Sequence, residues 1–296
     1  MTSETVDLDD ISVAVCDSPA HPGCRNVPLM LLHGAVQTRT IWQDQFEALA
    51  GTRRLVAVDL RGHGETMLGS RRMSVEQMAA DALAILDALQ IRQAAICGVS
   101  LGGMVALELA ERTPDRIASL ILANTPTSLT STRWLRSLVD RVDPQDLLPF
   151  AFRLFGRKRA ARLGLALASR LVGPHWVGTT ARRHFIDGFA RMSPKAIVAT
   201  YRAIVEARPV DAASIRCPIL LIEGNADATS VNAQMDELGA QTPHARIETM
   251  PAGHVASLDD PAAFNRLLLR FLDRHDPPCV RTAAAIWSSP ADPGRP

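Results

Sequence analysis

The stretch Ala94-Ala95-Ile96-Cys97-Gly98-Val99-Ser100-Leu101-Gly102-Gly103 constrains the chain more than any other. Its first half is an apolar run suited to a buried strand. Its second half opens a helix expected from about Leu101 to Glu111, with Met104, Val105, Leu107, Leu109 and Ala110 at helical spacing. Between them, Gly98-Val99-Ser100-Leu101-Gly102 matches G-x-S-x-G, the nucleophile elbow, a sharp strand-to-helix turn. Glycine suits both flanking positions because strand and helix nearly touch there. A serine at the tip of such a turn stands clear of the sheet. The helix N-terminus behind it offers free N–H groups and a positive dipole end to a developing oxyanion. The bland alternative is a serine that only caps a helix. The two readings differ in whether an acid and a base follow downstream.

The rest of the chain alternates strands with helices. Val6 to Val15 alternates apolar and polar residues, as an edge hairpin would. Val27 to Leu32 and Arg54 to Leu60 read as buried strands, and Ile41 to Ala50 as a helix between them. Ser74 and Gln77 resemble a capping box for a helix through Leu89. Ile117 to Ala123, Ile219 to Ile222 and Ala245 to Met250 continue the strand series; helices are expected at Ala233–Gly239 and from about Pro261 to Arg274. This order implies a mostly parallel sheet covered on both faces.

From Pro126 to about Arg208 the strand pattern stops. Helical segments are expected at Trp134–Val139, Leu147–Phe155, Ala160–Leu171, Arg182–Phe189 and Ala196–Val205. We read 126–208 as a helical lid or cap inserted after the sixth strand, and 1–125 with 209–275 as the core. Residues 276–296 hold five prolines and little periodicity, and are expected to be disordered.

Composition narrows the class. A 296-residue chain with 47% hydrophobic residues can bury a sizeable core. A net charge of +1 argues against a nucleic-acid binder. Five cysteines with no C-x-x-C spacing read as free thiols in a reducing compartment. The start Met1-Thr2-Ser3-Glu4-Thr5 has neither a basic opening nor an apolar run, so the expected address is cytoplasmic, with no membrane partner.

The strand ends, taken in order, deliver His33-Gly34, Asp59, Ser100, Asn124, Asp227 and His254. In an open parallel sheet these ends share one edge, where ligands bind. Serine, then acid, then histidine is the order that the elbow architecture requires. Glu223 and Asp236 compete with Asp227 for the acid, but one precedes the loop and the other sits inside a helix. Asn124, at the preceding strand end, cannot hold the charge. Asp59 and His63 are expected to brace a loop.

Leu31-Leu32-His33-Gly34, Asp59-Leu60-Arg61-Gly62-His63-Gly64, the elbow, Gly224-Asn225-Ala226-Asp227 and Gly253-His254 together resemble the α/β-hydrolase-fold superfamily, over nearly all of Val6 to Asp273. Cys97 to Val105 and Leu120 to Thr125 are similar to its 3-oxoadipate enol-lactonase-like branch. The resemblance implies an eight-stranded, mostly parallel sheet flanked by helices. It implies Ser100 as nucleophile, His254 as base and Asp227 as the acid that orients it. The N–H groups of Ala35 and Leu101 would form the oxyanion hole, with His33, Gly34, Gly98 and Gly102 shaping the loops around it. No cofactor and no metal are implied. A serine at the elbow, where haloalkane dehalogenases and epoxide hydrolases of this fold carry aspartate, points to acyl transfer.

The expected function is hydrolysis of a small carboxylic ester or lactone. Alternatives are a C–C bond hydrolase of a ring-cleavage product, a cofactor-free perhydrolase, lyase or acyltransferase, and a ligand-binding module without turnover. Residues 126–210 carry 15 Lys or Arg and 5 Asp or Glu, an excess of ten positive charges in a nearly neutral chain. Two readings follow: attraction of an anionic substrate, or a solvated helical surface. Trp134, Phe152, Phe155, Trp176 and Phe185 are apolar lid candidates, and Gly164, Gly173, Gly178 and Gly188 candidate hinges or turns. Oligomeric state is left open.

Overall fold

The structure is a computed structural model describing residues 3–22, 24, 26–128 and 144–275. Eight strands form one sheet: β1 (Glu4–Asp7), β2 (Ser12–Ser18), β3 (Leu29–Leu32), β4 (Leu55–Val58), β5 (Ala94–Val99), β6 (Ile117–Ala123), β7 (Ile219–Gly224) and β8 (Ala245–Met250). Their spatial order is β1-β2-β4-β3-β5-β6-β7-β8. β1 pairs antiparallel with β2, and β2 with β4; every pair from β4 to β8 is parallel. The chain reverses direction of travel after β3, so β3 and β5 are neighbours at the centre. The elbow therefore lies at the middle of the carboxyl edge, where ligands enter such sheets.

Alternation within the strands builds two cores. Met30, Leu32, Val56, Val58, Ile96, Leu120, Leu122 and Leu221 face one side; Leu29, Leu31, Leu55, Ala57, Cys97, Ile121, Leu220 and Ile222 face the other. The first side is covered by α2 (Val75–Ala88), α3 (Leu101–Arg112) and α8 (Thr229–Gln241), and the second by α1 (Gln43–Leu49) and α9 (Pro261–His275). Burial on both faces explains why these strands read as continuous apolar runs. In α9, Phe264, Leu268, Phe271 and Leu272 recur on one stripe and are buried. Ser74 caps α2 as expected, its Oγ accepting the Gln77 N–H at 3.1 Å.

Between β6 and β7 the described residues form α4 (Pro144–Phe155), α5 (Arg157–Val172), α6 (Thr179–Arg191) and α7 (Pro194–Glu206). The helix expected at Trp134–Val139 and the tail 276–296 lie outside the described residues. α8 begins at Thr229, four residues before the expected start, because Ala228 rather than a strong cap residue precedes it and leaves no sequence signal.

Ion pairs brace the loop after β4. Asp59 accepts the Arg39 and Glu65 backbone N–H groups at 2.7 and 2.9 Å, and Arg39 pairs with its carboxylate. The Arg61 guanidinium is fully buried and forks onto both Asp81 and Asp10. The hydrogen bonds from Arg61, helped by its charge, hold Asp10 well below the usual carboxylate range.

Among the described residues Cys16, Cys97 and Cys217 are free thiols, as expected. Among the described residues no helix is long and apolar enough to cross a membrane.

Candidate active site

Ser100 sits between β5 and α3 with φ +52° and ψ −116°, a conformation that L-residues rarely adopt. Its local strain, of order 1–3 kcal/mol, is held by fixed neighbours. The Ser100 N–H donates to Ala123 O at 3.0 Å, and Gly103 and Met104 N–H donate back to Ser100 O at 2.9 and 3.1 Å. The glycines flanking it permit a near contact of backbones. A Cβ on Gly98 would lie 2.3 Å from Gly102 O, and one on Gly102 would lie 2.2 Å from Leu32 O. Leu101 occupies the first helical position, where no preceding turn takes its N–H.

The loop after β3 passes beside the serine. A Cβ on Gly34 would come within 3.4 Å of Ser100 Cβ, so Ala35 follows directly at this edge. The Gly34 N–H donates to Gln37 Oε1 at 2.9 Å. His33 is buried, its Nδ1 donating to Gly34 O at 2.8 Å and its Nε2 accepting the Leu60 N–H at 3.0 Å. These partners fix one neutral tautomer. Burial pushes its pKa down to about 4, and that of neighbouring His63 down to about 3. Both rings are held by backbone groups of the loops around them. Val36 next in the loop has φ +54°, an outlier for a β-branched residue that no sequence signal announced. Gly188 of α6 packs over it; a Cβ there would lie 2.1 Å from Val36 O. Gly188 is a contact point inside a helix, neither hinge nor turn.

The loops after β7 and β8 bring the remaining two groups. They are tied to each other by Asn225 N–H to Met250 O and Ala226 N–H to Ala252 O, both 2.9 Å. His254 Nε2 lies 2.9 Å from Ser100 Oγ, and His254 Nδ1 lies 2.9 Å from both carboxylate oxygens of Asp227. The Asp227 side chain is completely buried, and that of His254 is 16% exposed. A carboxylate only accepts, so Nδ1 carries a proton and Nε2 is left to accept the serine hydroxyl. The structure brings together Ser100, Asp227 and His254, separated by up to 154 residues in sequence.

Residues 27–261 match the model of the alpha/beta hydrolase fold family. The chain belongs to that family and is a hydrolase. It is 25% identical over 291 residues to 3-oxoadipate enol-lactonase 2 of Acinetobacter baylyi, covering 93% of this chain and 96% of that protein. It is 28% identical over 243 residues to the pimeloyl-[acyl-carrier protein] methyl ester esterase of Nitrosomonas europaea, covering 80% and 92%. The crystal structure of the enol-lactonase from Burkholderia xenovorans superposes with a TM-score of 0.73 at 23% identity, over 91% of this chain and 99% of that one.

In this α/β hydrolase Asp227 has further partners that the sequence did not reveal. Asn124, at φ +47°, donates from Nδ2 to Asp227 Oδ2 at 3.0 Å and to Gly253 O at 3.2 Å. Its place at the end of β6 was legible; its hydrogen bond to the carboxylate after the next strand was not. The Ala228 N–H donates to Asp227 Oδ1 at 2.7 Å, and Trp176 Nε1 does so at 3.1 Å. Glu223 is buried near Asp227 and Asp236, where burial raises its pKa, and among the described contacts it makes no hydrogen bond to Ser100, Asp227 or His254. Cys97 lies in the core, where burial pushes its thiol up and makes it inert. Of the apolar lid candidates, Phe152 and Phe185 pack on Phe189, with ring centroids 5.7 and 6.2 Å apart, and Phe155 is largely exposed. Trp134 lies outside the described residues.

Proposed function

We propose that this α/β hydrolase cleaves a small carboxylic ester or lactone through an acyl-enzyme on Ser100. The observation that carries the reading is the continuous chain from Ser100 Oγ through the His254 ring to Asp227, at 2.9 Å per link. Ser100 Oγ bonds to the acyl carbon while its proton passes to His254 Nε2. Asp227 stabilises the imidazolium that forms. The N–H groups of Leu101 and Ala35 receive the carbonyl oxygen as it gains charge. The C–O bond to the leaving alcohol then breaks, with His254 returning the proton to that oxygen. A water, deprotonated by the same ring, releases the acid and restores Ser100. In a lactone the leaving oxygen stays tethered, so the product is one hydroxy acid. No step calls for a cofactor. The names of two relatives, an enol-lactonase and a methyl ester esterase, agree with this bond type.

Helices α4 to α7 serve in this reading as the lid over the strand ends, excluding water and shaping the pocket. Their basic excess favours a substrate bearing a carboxylate. Many of these cations, Arg153, Lys158, Arg159, Arg162 and Arg170 among them, are exposed, so they act through a summed field rather than by direct contact. The test compares kcat/KM for a neutral short-chain ester and a carboxylate-bearing ester or lactone at two ionic strengths. The anionic member is expected to lead by about tenfold at low salt. Its lead should shrink towards parity near 1 M salt, where the screening length falls to about 3 Å. A neutral ester that wins at both salt levels makes the lid charge a solvated surface and the protein a general esterase.

A further inference from the structure

The loop 173–178, which joins α5 to α6, is fastened to the acid and the base at once. The Trp176 indole N–H donates to Asp227 Oδ1 at 3.1 Å, while the Trp176 carbonyl accepts the His254 N–H at 2.7 Å. The indole and imidazole ring centroids lie 5.5 Å apart, with their planes tilted by 38°. Gly253 admits this approach, since a Cβ there would fall 2.4 Å from Trp176 O and 2.8 Å from His175 O. On the other side the Gly253 N–H donates to Asp259 Oδ2 at 2.8 Å, and Gly178 packs on the same carboxylate, where a Cβ would lie 2.0 Å from Asp259 Oδ1. The backbone bearing His254 is thus gripped between the inserted loop and Asp259.

We propose that Trp176 is a positioning residue for the Asp227–His254 pair, so the segment between β6 and β7 supplies part of the acid–base machinery as well as a cover. The proposal rests on the reading of Ser100, His254 and Asp227 as the reacting trio. Asp227 Oδ1 takes three donors, His254 Nδ1–H, Ala228 N–H and the indole; Oδ2 takes His254 and Asn124. A carboxylate that accepts an additional hydrogen bond holds its charge more diffusely, and its pull on an imidazolium is weaker. The indole therefore limits how tightly the protonated ring is held, which helps His254 to return its proton. It also fixes the carboxylate plane. The ionisable groups facing the pair are Asp259 beside His254 and Glu223 beside Asp227. Neither donates to Asp227 among the described contacts.

Two variants of the full chain separate this role from simple packing. Trp176→Phe keeps an aromatic ring and loses the donor. Placing 3-benzothienylalanine at position 176 keeps the indole shape with sulfur in place of N–H. The primary readout is an NMR pH titration of the His254 ring, which needs no substrate. Both variants should titrate at higher pH than the wild type, by about half a unit. The acid limb of their kcat/KM profile on p-nitrophenyl acetate should move by the same amount. kcat should fall about three- to tenfold, with KM within twofold of wild type. Titration curves that superimpose on the wild type in the isostere, with kcat unchanged, overturn the proposal and leave Trp176 a packing residue. If Trp176→Phe does not fold, the isostere alone decides. A wild type inert on esters removes the catalytic reading, yet the titration still reports whether Trp176 tunes the pair.

Discussion

Ser100→Ala is expected to lower kcat for ester hydrolysis by about 10⁴-fold or more, leaving only what binding and the oxyanion donors provide. The geometry gives the reason. The Ser100 hydroxyl is the one reacting group placed 2.9 Å from His254 Nε2, and alanine offers the ring nothing to deprotonate. The fold should not notice the change. The residue is only partly buried, its backbone strain is the same for alanine, and the N–H bond to Ala123 O is kept. Thermal unfolding of the variant should lie within about 2 °C of wild type, the range of a surface-type substitution. A variant that keeps a tenth of the activity would remove Ser100 from the chemistry. A variant that unfolds would show that the elbow depends on the hydroxyl.

The second large effect concerns Gly102 and separates geometry from chemistry. Gly102→Ala adds one carbon that would stand 2.2 Å from the Leu32 carbonyl oxygen and 2.6 Å from its carbon. These are backbone atoms of β3 and cannot swing aside. α3 must lift from the sheet, and Ser100 moves with it. Overpacking of this kind costs about 1–3 kcal/mol, or a fall of roughly 2–12 °C in Tm for a large domain. A displacement near 1 Å costs on the order of 10²-fold in rate. Gly164→Ala is the control. Gly164 lies inside α5 with nothing within 4 Å of a new Cβ, so alanine there should stabilise by about 0.5–1 kcal/mol. Calorimetry on the two variants should give shifts of opposite sign. Shifts of equal sign and size would mean that the β3–α3 contact is less close than described.

Much of this site was legible before any coordinates, and the reasons are local. Gly98-Val99-Ser100-Leu101-Gly102 predicts its own strand, turn and helix because the tight crossing admits only glycine at its flanks. Asp227 and His254 were legible because strands in a parallel sheet end on one edge, so position along the chain reports position in space. What stayed hidden has no local signature. Trp176 looks like any apolar residue of a helical segment, and its indole N–H finds Asp227 only when a loop 51 residues away folds over it. Asn124 was visible as a strand end but was weighed only as a failed acid; a donor to a neighbouring strand's carboxylate leaves no mark in spacing. Val36 has a positive φ beside the close approach of Gly188 from α6, and valine does not advertise such a conformation.

The central claim is that acyl transfer passes through Ser100. The most direct measurement mixes the protein with excess p-nitrophenyl acetate, quenches in acid within the first turnovers, and weighs the intact chain and its peptides. The account predicts a mass gain of one acetyl group, located on Ser100, and none in Ser100→Ala. An acetyl group found on another residue, or turnover with no covalent species in wild type and unchanged turnover in Ser100→Ala, would contradict it.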